Sequence, residues 1–195
     1  MVNDTGNTVA IRQEAEAVTT DPKGEVHMKH VQHVGSRLQD TISMEQVWYI
    51  TGFADGEGCF SVSFTKRAKM NTGLEVRPSF SIGQNKKSLA LLQQLHTYFG
   101  CGAIRFSRHD QLYKYEVRSI RDLRERVIPH FKKYPLKTAK QDDFLTFSWI
   151  CDQIAASKHL NKDCLKQIIE KAYAMNQSGK RRDTKLNLLK IIEAR

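Results

Sequence analysis

The chain has 195 residues and a mass of 22.4 kDa, which leaves room for one ordinary domain, or one domain with a tail, but not for two full domains. It has no run of about 18 apolar residues and no basic-then-apolar leader, which excludes a membrane span and a secretory signal and predicts an intracellular globular protein. The net charge of +10 favours a polyanionic partner, nucleic acid before a membrane surface.

The first 43 residues differ from the remainder in composition. They are rich in polar residues, follow no helical or strand period, and combine four basic with six acidic side chains, so they carry −2 and the remaining residues carry +12. We therefore predict a flexible N-terminal tail over residues 1–43 and one basic domain over residues 44–195. The four cysteines lack paired metal-binding spacing and are expected to be reduced thiols.

The first predicted helix covers Met44 to Ala54. Ser43 is its N-cap, and Gln46 lies three residues further on, the spacing of a capping box. After the glycines that follow the helix, apolar and polar residues alternate, which predicts a strand with one buried face. The apolar set of this strand is Phe60, Val62 and Phe64.

A second strand and a second helix come next. The strand covers Val76 to Ile82, and Pro78 within it favours an edge position or a bulge. Leucines then recur at helical spacing until Gly100, which predicts a helix with a glycine C-terminal signal. The apolar residues of this helix are Leu89, Leu92, Leu95 and Phe99.

Another strand pair and several helices complete the domain. The two strands have apolar residues at alternate positions, and Ser119 caps the helix that follows them. Helical segments are predicted over 143–156, 162–175 and 184–194. The predicted fold is therefore α+β, in the order helix, two strands, helix, two strands and further helices.

The outward faces of these strands carry hydroxyl and basic side chains with few acids. A ribbon of this composition can read base edges in a major groove, where Arg pairs with guanine, Ser and Thr pair with several bases, and Lys contacts phosphate. We predict that these residues bind nucleic acid: Ser61, Ser63, Thr65, Arg67, Arg77, Ser79, Ser81, Arg105, Ser107, Lys114, Glu116 and Arg118.

The segment from Ile50 to Gly58 has the sharpest local pattern. Gly52 and Gly56 are four residues apart, so one surface of the helix has almost no side-chain bulk and two such helices can pack closely. This predicts a self-complementary interface. Its predicted members are Thr51, Gly52, Asp55 and Gly56.

Two copies packed in this way would bring two Glu57 side chains together near a two-fold axis. Like charges at short distance repel unless a cation lies between them, and oxygen ligands beside a phosphate-binding sheet suit Mg²⁺. A metal ion in this place can activate water and stabilise a leaving oxygen.

The segment Ile50 to Gly58 resembles the motif of the LAGLIDADG homing endonucleases, with Glu57 in place of the final aspartate. The predicted element order, Gln84 after the second strand and the segment Tyr134 to Thr138 are similar to that family over about residues 44–160. The resemblance implies an αββαββα fold with a four-stranded antiparallel, saddle-shaped sheet, here with extra C-terminal helices. Only one copy of the motif is present, and single-motif members are homodimers that bind long, nearly palindromic DNA sites.

The resemblance also implies roles for individual residues. Glu57 is expected to be the catalytic metal-binding carboxylate, and the Gly56 carbonyl its companion ligand. Gln84 matches a residue that positions water, and Lys137 or Lys140 completes the pocket, with Lys137 following the Pro-Leu pair more naturally. Asp55 would be structural. A further basic residue of some members has no clear match, because Ser88 falls near its place and only Lys86 or Lys87 could substitute.

The sequence therefore predicts a homodimeric, site-specific double-strand DNA endonuclease that uses Mg²⁺, with Mn²⁺ as a substitute. Two alternatives are an RNA-binding intron maturase on the same scaffold and a sequence-specific DNA-binding protein that does not cut. No membrane partner is expected. An organelle and a bacterial cytoplasm are equally open as locations.

Overall fold

The computed structural model describes residues 43–176 and 183–195, which form a four-stranded antiparallel sheet, in the order β1-β2-β4-β3, and helices. The strands are β1 (Gly58–Lys66), β2 (Leu74–Gln84), β3 (Ala103–Ser107) and β4 (Leu112–Val117). The helices are α1 (Met44–Glu57), α2 (Leu89–Phe99), α3 (Ile120–Asp122), α4 (Ile128–Lys133), α5 (Lys140–Ala155), α6 (Lys162–Ala174) and α7 (Lys185–Glu193). The predicted α+β fold is confirmed. The predicted tail lies, except for Ser43, outside the described residues.

Aromatic side chains on the inner faces of β1 and β2 form the centre of the core. Phe60 stacks on Phe80 with 5.0 Å between ring centroids, and Phe131, Phe144 and Phe147 each lie 5.3 Å from Phe60. All five side chains are buried. Burial of one such side chain contributes about 1.5–3 kcal/mol, so this cluster fixes α4 and α5 against the sheet.

The bounds of α1, β2 and α5 differ from the prediction by more than one residue, and α5 begins at Lys140 rather than at 143. The helix α1 continues past Ala54 to Glu57, because a helix tolerates a glycine such as Gly56 at a cost of about 1 kcal/mol. The strand β2 is longer than predicted at both ends. The register of β2 with β1 is continuous, without a bulge. On its other side, β2 pairs with β4 only from Phe80 onward. Pro78 therefore pairs with β1 but not with β4, and the predicted edge position is confirmed.

The helical segment after β4 contains a π-helical turn. Ser119 caps α3 as predicted, and the turn Leu123–Val127 lies between α3 and α4. Pro129 has no N–H, and in a regular α-helix its ring would press on the carbonyl of Glu125. The wider turn directly before Pro129 relieves that clash while the apolar face stays buried.

The C-terminal part of the chain covers the outer edge of β1. The side-chain amide of Asn176 donates to the carbonyl of Phe60 at 2.6 Å, and Lys66 forms an ion pair with Asp183 at 3.1 Å. An uncovered edge strand invites pairing with other chains, so these contacts protect β1. Among the helices that the structure describes, none is long and apolar enough to cross a membrane. All four cysteines are free, as predicted.

His130 on α4 joins α1 to α2 inside the core. The Thr51 hydroxyl donates to the carbonyl of Tyr134, so its oxygen accepts from His130 Nε2 at 3.0 Å, and His130 Nδ1 accepts from the Tyr98 hydroxyl at 2.8 Å. These bonds satisfy a neutral imidazole. Burial lowers the pKa of His130 to about 4.

Acid should therefore weaken the fold through His130. The unfolded chain binds this proton near pH 6.5 and the folded chain near pH 4, so the contribution of His130 to stability is constant above pH 6.5 and falls as the pH drops through this window. The loss from His130 should reach roughly 3 kcal/mol. Chemical denaturation of the wild type and of His130→Gln between pH 7 and pH 4 measures it, and parallel stability curves would contradict the assignment.

Candidate functional site

The helix α1 passes into β1 without a loop. The backbone N–H of Gly58 donates to the carbonyl of Ala54, and a Cβ on Gly58 would lie 2.5 Å from that carbonyl oxygen. Only glycine fits this position. The junction leaves Glu57, the last residue of the helix, exposed at the end of the sheet.

The charges at this helix end oppose the helix dipole. The C-terminus of a helix carries partial negative charge, yet the last turn of α1 contains Asp55 and Glu57 and no basic residue. Within the described part of the chain, the Glu57 carboxylate makes no hydrogen bond or ion pair. An exposed acid placed where its own helix disfavours it indicates a functional requirement.

Asp55 is held by its own chain. Its carboxylate accepts hydrogen bonds from the backbone N–H groups of Lys137, at 2.8 Å, and Thr138, at 3.2 Å, and from the Thr138 hydroxyl. Desolvation acts to raise the pKa of Asp55, but these bonds and the charge of Lys140 together lower it below its usual value. Asp55 therefore anchors the segment before α5, in agreement with the structural role expected for it.

Two predicted members of the dimer interface make contacts within the chain instead. Thr51 is 3% exposed and hydrogen-bonds His130, and the Asp55 carboxylate is occupied by Lys137 and Thr138. Thr51 and Asp55 are therefore corrected to intrachain contacts. Helical spacing alone could not reveal this, because the partners of Thr51 and Asp55 lie about 80 residues away in the sequence.

The structure separates the two candidate lysines. Lys140 Nζ donates to the carbonyls of Ala54 and Gly56, both at 3.2 Å, and so places an ammonium group at the negative end of α1. Lys137 is exposed, and the hydrogen bond that it makes to Asp55 comes from its backbone. The geometry thus favours Lys140, whereas the sequence had favoured Lys137.

Other polar residues lie at the same end of the sheet. Ile82 pairs with Gly58, so Gln84 lies two residues beyond that pair, close to the level of Gly56 and Glu57. Lys86 and Lys87 follow in an exposed 3₁₀ turn.

Two further charged residues, Lys114 and Asp143, lie near Cys59 at the α1 end of the sheet. Burial raises the pKa of the Cys59 thiol, Lys114 and Lys140 lower it, and Asp143 raises it, so these three charged groups surround the start of β1. The sequence did not indicate that Asp143 lies near this end, because only the fold brings the first turn of α5 to the start of β1.

The Glu57 carboxylate and the Gly56 carbonyl fit a hard divalent cation. Both are oxygen donors, Gly56 is exposed, and a carbonyl oxygen retains a second lone pair when Lys140 donates to it. Residues 43–176 and 183–195 contain no cluster of three or more His, Cys, Asp or Glu side chains that could hold a metal. One chain therefore supplies few ligands, and further ligands would have to come from water, a second chain or a phosphate.

The outer face of α1 is apolar and open. Gly52 and Gly56 are exposed, and a Cβ on either would meet nothing within 4 Å, so the packing of this chain does not require glycine there. Trp48 and Tyr49 lie one turn before Gly52 and are 42% and 55% exposed. These two aromatic residues were missed by the sequence analysis, although their spacing from Gly52 was a usable signal.

The outer face of the sheet has the expected polar character. The register places Ser61 opposite Ser79, Ser63 opposite Arg77 and Arg105 opposite Lys114. Its basic side chains are all exposed: Arg67, Arg77, Arg105, Lys114 and Arg118. Ser81 is the exception to the predicted set, because it lies between Cys59 and Glu116 on the neighbouring strands and is only 4% exposed. Its hydroxyl is therefore not presented to a ligand.

Each acid on this face lies between two basic side chains. Glu75 Oε2 accepts from Arg67 Nε at 2.8 Å and from Arg77 Nη2 at 3.0 Å. Hydrogen bonds from Arg77 and Arg67 hold the pKa of Glu75 below its usual value. Glu116 pairs in the same way with Arg118, at 2.9 Å, and Lys114, at 3.5 Å.

Comparison with known proteins identifies the family. Residues 50–151 match the model of the LAGLIDADG endonuclease family. The probable intron-encoded endonuclease 2 of Neurospora crassa is 35% identical over 129 residues, which are 66% of this chain and 28% of that protein. The chain spans about a quarter of the length of the first curated relatives that it matches.

Solved structures of homing endonucleases share the fold. I-TnaI is 36% identical with a TM-score of 0.67, and the match covers 76% of this chain and 96% of that one. The archaeal intron-encoded homing endonuclease I-Vdi141I, solved in complex with DNA, is 28% identical with a TM-score of 0.71, and the match covers 77% of this chain and 96% of that one.

Replacing Lys140 should destabilise the end of α1. In Lys140→Met two carbonyls lose a charged donor, and we expect the free energy of unfolding to fall by about 1 kcal/mol. Lys137→Met is the matched control and should change it by less than about 0.5 kcal/mol, because only the backbone of Lys137 makes the contact. Urea denaturation measures both variants, and equal losses would contradict the distinction.

Proposed function

The chain belongs to the LAGLIDADG endonuclease family, and from this premise we propose that it is a homodimeric homing endonuclease. It makes a Mg²⁺-dependent double-strand break in a long, nearly palindromic DNA site, with Mn²⁺ as a substitute metal. Glu57 is the catalytic carboxylate, Gln84 positions water, and Lys140, in preference to Lys137, completes the pocket.

The observation that carries this proposal is the exposed Glu57 carboxylate, unpaired among the described residues, beside the Gly56 carbonyl and the Lys140 ammonium group. These groups lie where α1 meets a sheet whose outer face is basic and polar. A scissile phosphate held on that face lies next to an acid, a carbonyl oxygen and a cation. Hydrolysis of a phosphodiester requires such groups to hold water and to offset charge on the leaving oxygen.

A divalent metal, when bound, would polarise the phosphate and promote ionisation of water. The Glu57 carboxylate and the Gly56 carbonyl would hold it. Lys140 keeps a positive charge next to the reacting phosphate, and Gln84 donates and accepts hydrogen bonds at the same end of the sheet. The anchoring of Lys137 and Thr138 by Asp55 fixes the start of α5 and therefore the position of Lys140.

A second copy of the chain is the proposed occupant of the outer face of α1. Gly52 and Gly56 allow two copies of α1 to approach closely, and Trp48 and Tyr49 supply apolar area around them. The pairing sets the two Glu57 sites side by side, so that each site cuts one strand. It also joins the two sheets into one surface with two-fold symmetry, which a nearly palindromic site matches.

DNA is the proposed substrate because the exposed basic side chains of the sheet suit phosphate and guanine. The hydroxyl side chains on this face contact the bases as well: Ser61, Ser63, Thr65, Ser79 and Ser107. Ser81 is buried and makes no contact with DNA. Relatives are named intron-encoded endonucleases, and I-Vdi141I was solved with DNA. We therefore propose that this chain is also encoded by an intron and acts in an organelle or in a bacterial cytoplasm.

Basic helices beyond the family match support an intron maturase as the second candidate. Lys162, Lys171, Lys185 and Lys190 are exposed on α6 and α7, outside residues 50–151. Such an RNA-binding protein would bind structured RNA more tightly than DNA at equal salt. A non-cleaving DNA-binding protein would bind one DNA site whether or not Glu57 is present. Metal-dependent cutting separates the endonuclease from both.

Glu57→Gln should abolish cleavage without abolishing binding, because it removes one charge at nearly constant size. Wild type and variant are incubated with a randomised duplex library and Mg²⁺, and the ends produced are sequenced, while binding is measured in Ca²⁺. We expect a loss of at least about 100-fold in cleavage rate. The exposed Glu170→Gln on α6 is the charge-matched control and should cut normally. Cutting by Glu57→Gln at the wild-type rate would refute the assignment.

Gly52→Leu should separate the dimer while leaving each chain folded. The position is open within one chain, and leucine favours a helix by about 0.5–1 kcal/mol over glycine, so the monomer should become slightly more stable. The same side chain would hold two copies of α1 apart. Sedimentation equilibrium measures the dimer, with Asn187→Leu on exposed α7 as the control. An unchanged dimer in Gly52→Leu would refute the interface.

A further inference from the structure

We propose that Glu75 is a positioning residue that sets base specificity in the outer part of each DNA half-site, by holding Arg67 and Arg77 in fixed orientations. This inference rests on the proposed function, because it assigns a role within the same DNA-binding face. Glu75 itself touches no base in this proposal. It acts through the two arginines.

The backbone places these three side chains together. Arg77 lies two residues after Glu75 on β2, and Arg67 is diagonal to Glu75, since Glu75 pairs with Thr65. The N–H of Arg67 bonds to the carbonyl of Gly73 at 2.8 Å and extends the ladder past β1. All three side chains therefore emerge from the outer face of one regular hairpin.

The hydrogen bonds fix the arginines without using all their donors. A single oxygen of Glu75, Oε2, accepts from Arg67 Nε and from Arg77 Nη2. A guanidinium group has five N–H donors in a rigid plane, so each arginine retains donors for a base edge. Two donors in one plane match O6 and N7 of guanine, and an arginine already held in place loses less freedom when it binds.

The position of Glu75 defines which bases are affected. Thr65 and Glu75 lie about 23 Å along β1 from Gly58, at a strand rise of about 3.3 Å per residue. Glu57 lies at the Gly58 end, so the Glu75 group faces DNA far from the cut. Glu116 pairs with Ser81, one position from the Ile82–Gly58 pair, so its group with Lys114 and Arg118 lies near the cut.

The test compares the base preferences of Glu75 variants. Binding sites are selected from a randomised duplex library by wild type, Glu75→Gln, Glu75→Asp and Glu116→Gln. In Glu75→Gln we expect the base preference at several outer positions of the half-site to fall about tenfold, while the base preference at the inner positions is unchanged. Affinity for random duplex should rise severalfold, with a steeper dependence on salt, because released arginines bind phosphates instead.

Two further variants separate positioning from charge. Glu75→Asp keeps the negative charge but is one methylene shorter, so it should lose outer preference without the gain in affinity for random duplex. Glu116→Gln should change the base preference at the inner positions of the half-site rather than at the outer positions. The exposed Glu170→Gln should reproduce the wild-type profile.

Two results would overturn the proposal. One is an unchanged profile in Glu75→Gln, and the other is a switch to a different base at a single position, which would mean that Glu75 reads a base directly. If wild type itself selects no motif, the proposed function fails rather than this inference. The arginine Nε signals of free wild type and Glu75→Gln then still report whether Glu75 orders Arg67 and Arg77, and equal order would also overturn it.

Discussion

The direct junction between α1 and β1 is the constraint on which the structure depends. Gly58 leaves no room for a side chain against the Ala54 carbonyl, so the chain changes from helix to strand within one residue. This places Phe60 in the centre of the core and Glu57 at the open end of the sheet. A loop in the same place would have uncoupled the acid from the sheet, since loop residues are more mobile than the elements they join.

The alternation of β1 and β2 then divides the molecule into two chemical faces. Even-numbered residues, such as Phe60 and Phe80, build an aromatic core against α4 and α5, and odd-numbered residues form a polar surface. A slip of one residue would exchange the two sets, so the register is strongly specified. The rigid core therefore fixes the spacing of every polar side chain on the outer face, and of the site at its end.

Periodicity was sufficient to predict the elements of this fold, because apolar residues recur at strand and helix spacing from Ser43 onward. The roles of Glu57 and Gly56 were predicted from the motif and its family resemblance, whereas periodicity indicated the polar strand faces. It could not choose between Lys137 and Lys140, since that choice depends on how the segment after Tyr134 turns back onto α1. Thr51 and Asp55 were misplaced for the same reason. Their partners, His130 and Thr138, lie far away in sequence, and only tertiary structure shows these contacts within the chain.

The features that are unfavourable for one chain are concentrated on α1. Two exposed helical glycines cost about 1 kcal/mol each, and an unpaired acid at the helix C-terminus costs about 0.3–1 kcal/mol, against a typical stability of 5–15 kcal/mol. Exposed Trp48 and Tyr49 add apolar surface that a solitary helix would leave in water. Within one chain, the Lys140 ammonium group at the Ala54 and Gly56 carbonyls offsets part of the charge cost, but it does not offset the cost of the glycines or of the exposed aromatic residues. In the proposed assembly, a close helix pair would bury the aromatic residues and use the glycines, and a cation with DNA would compensate the Glu57 charge, so that the same residues would become favourable in the complex.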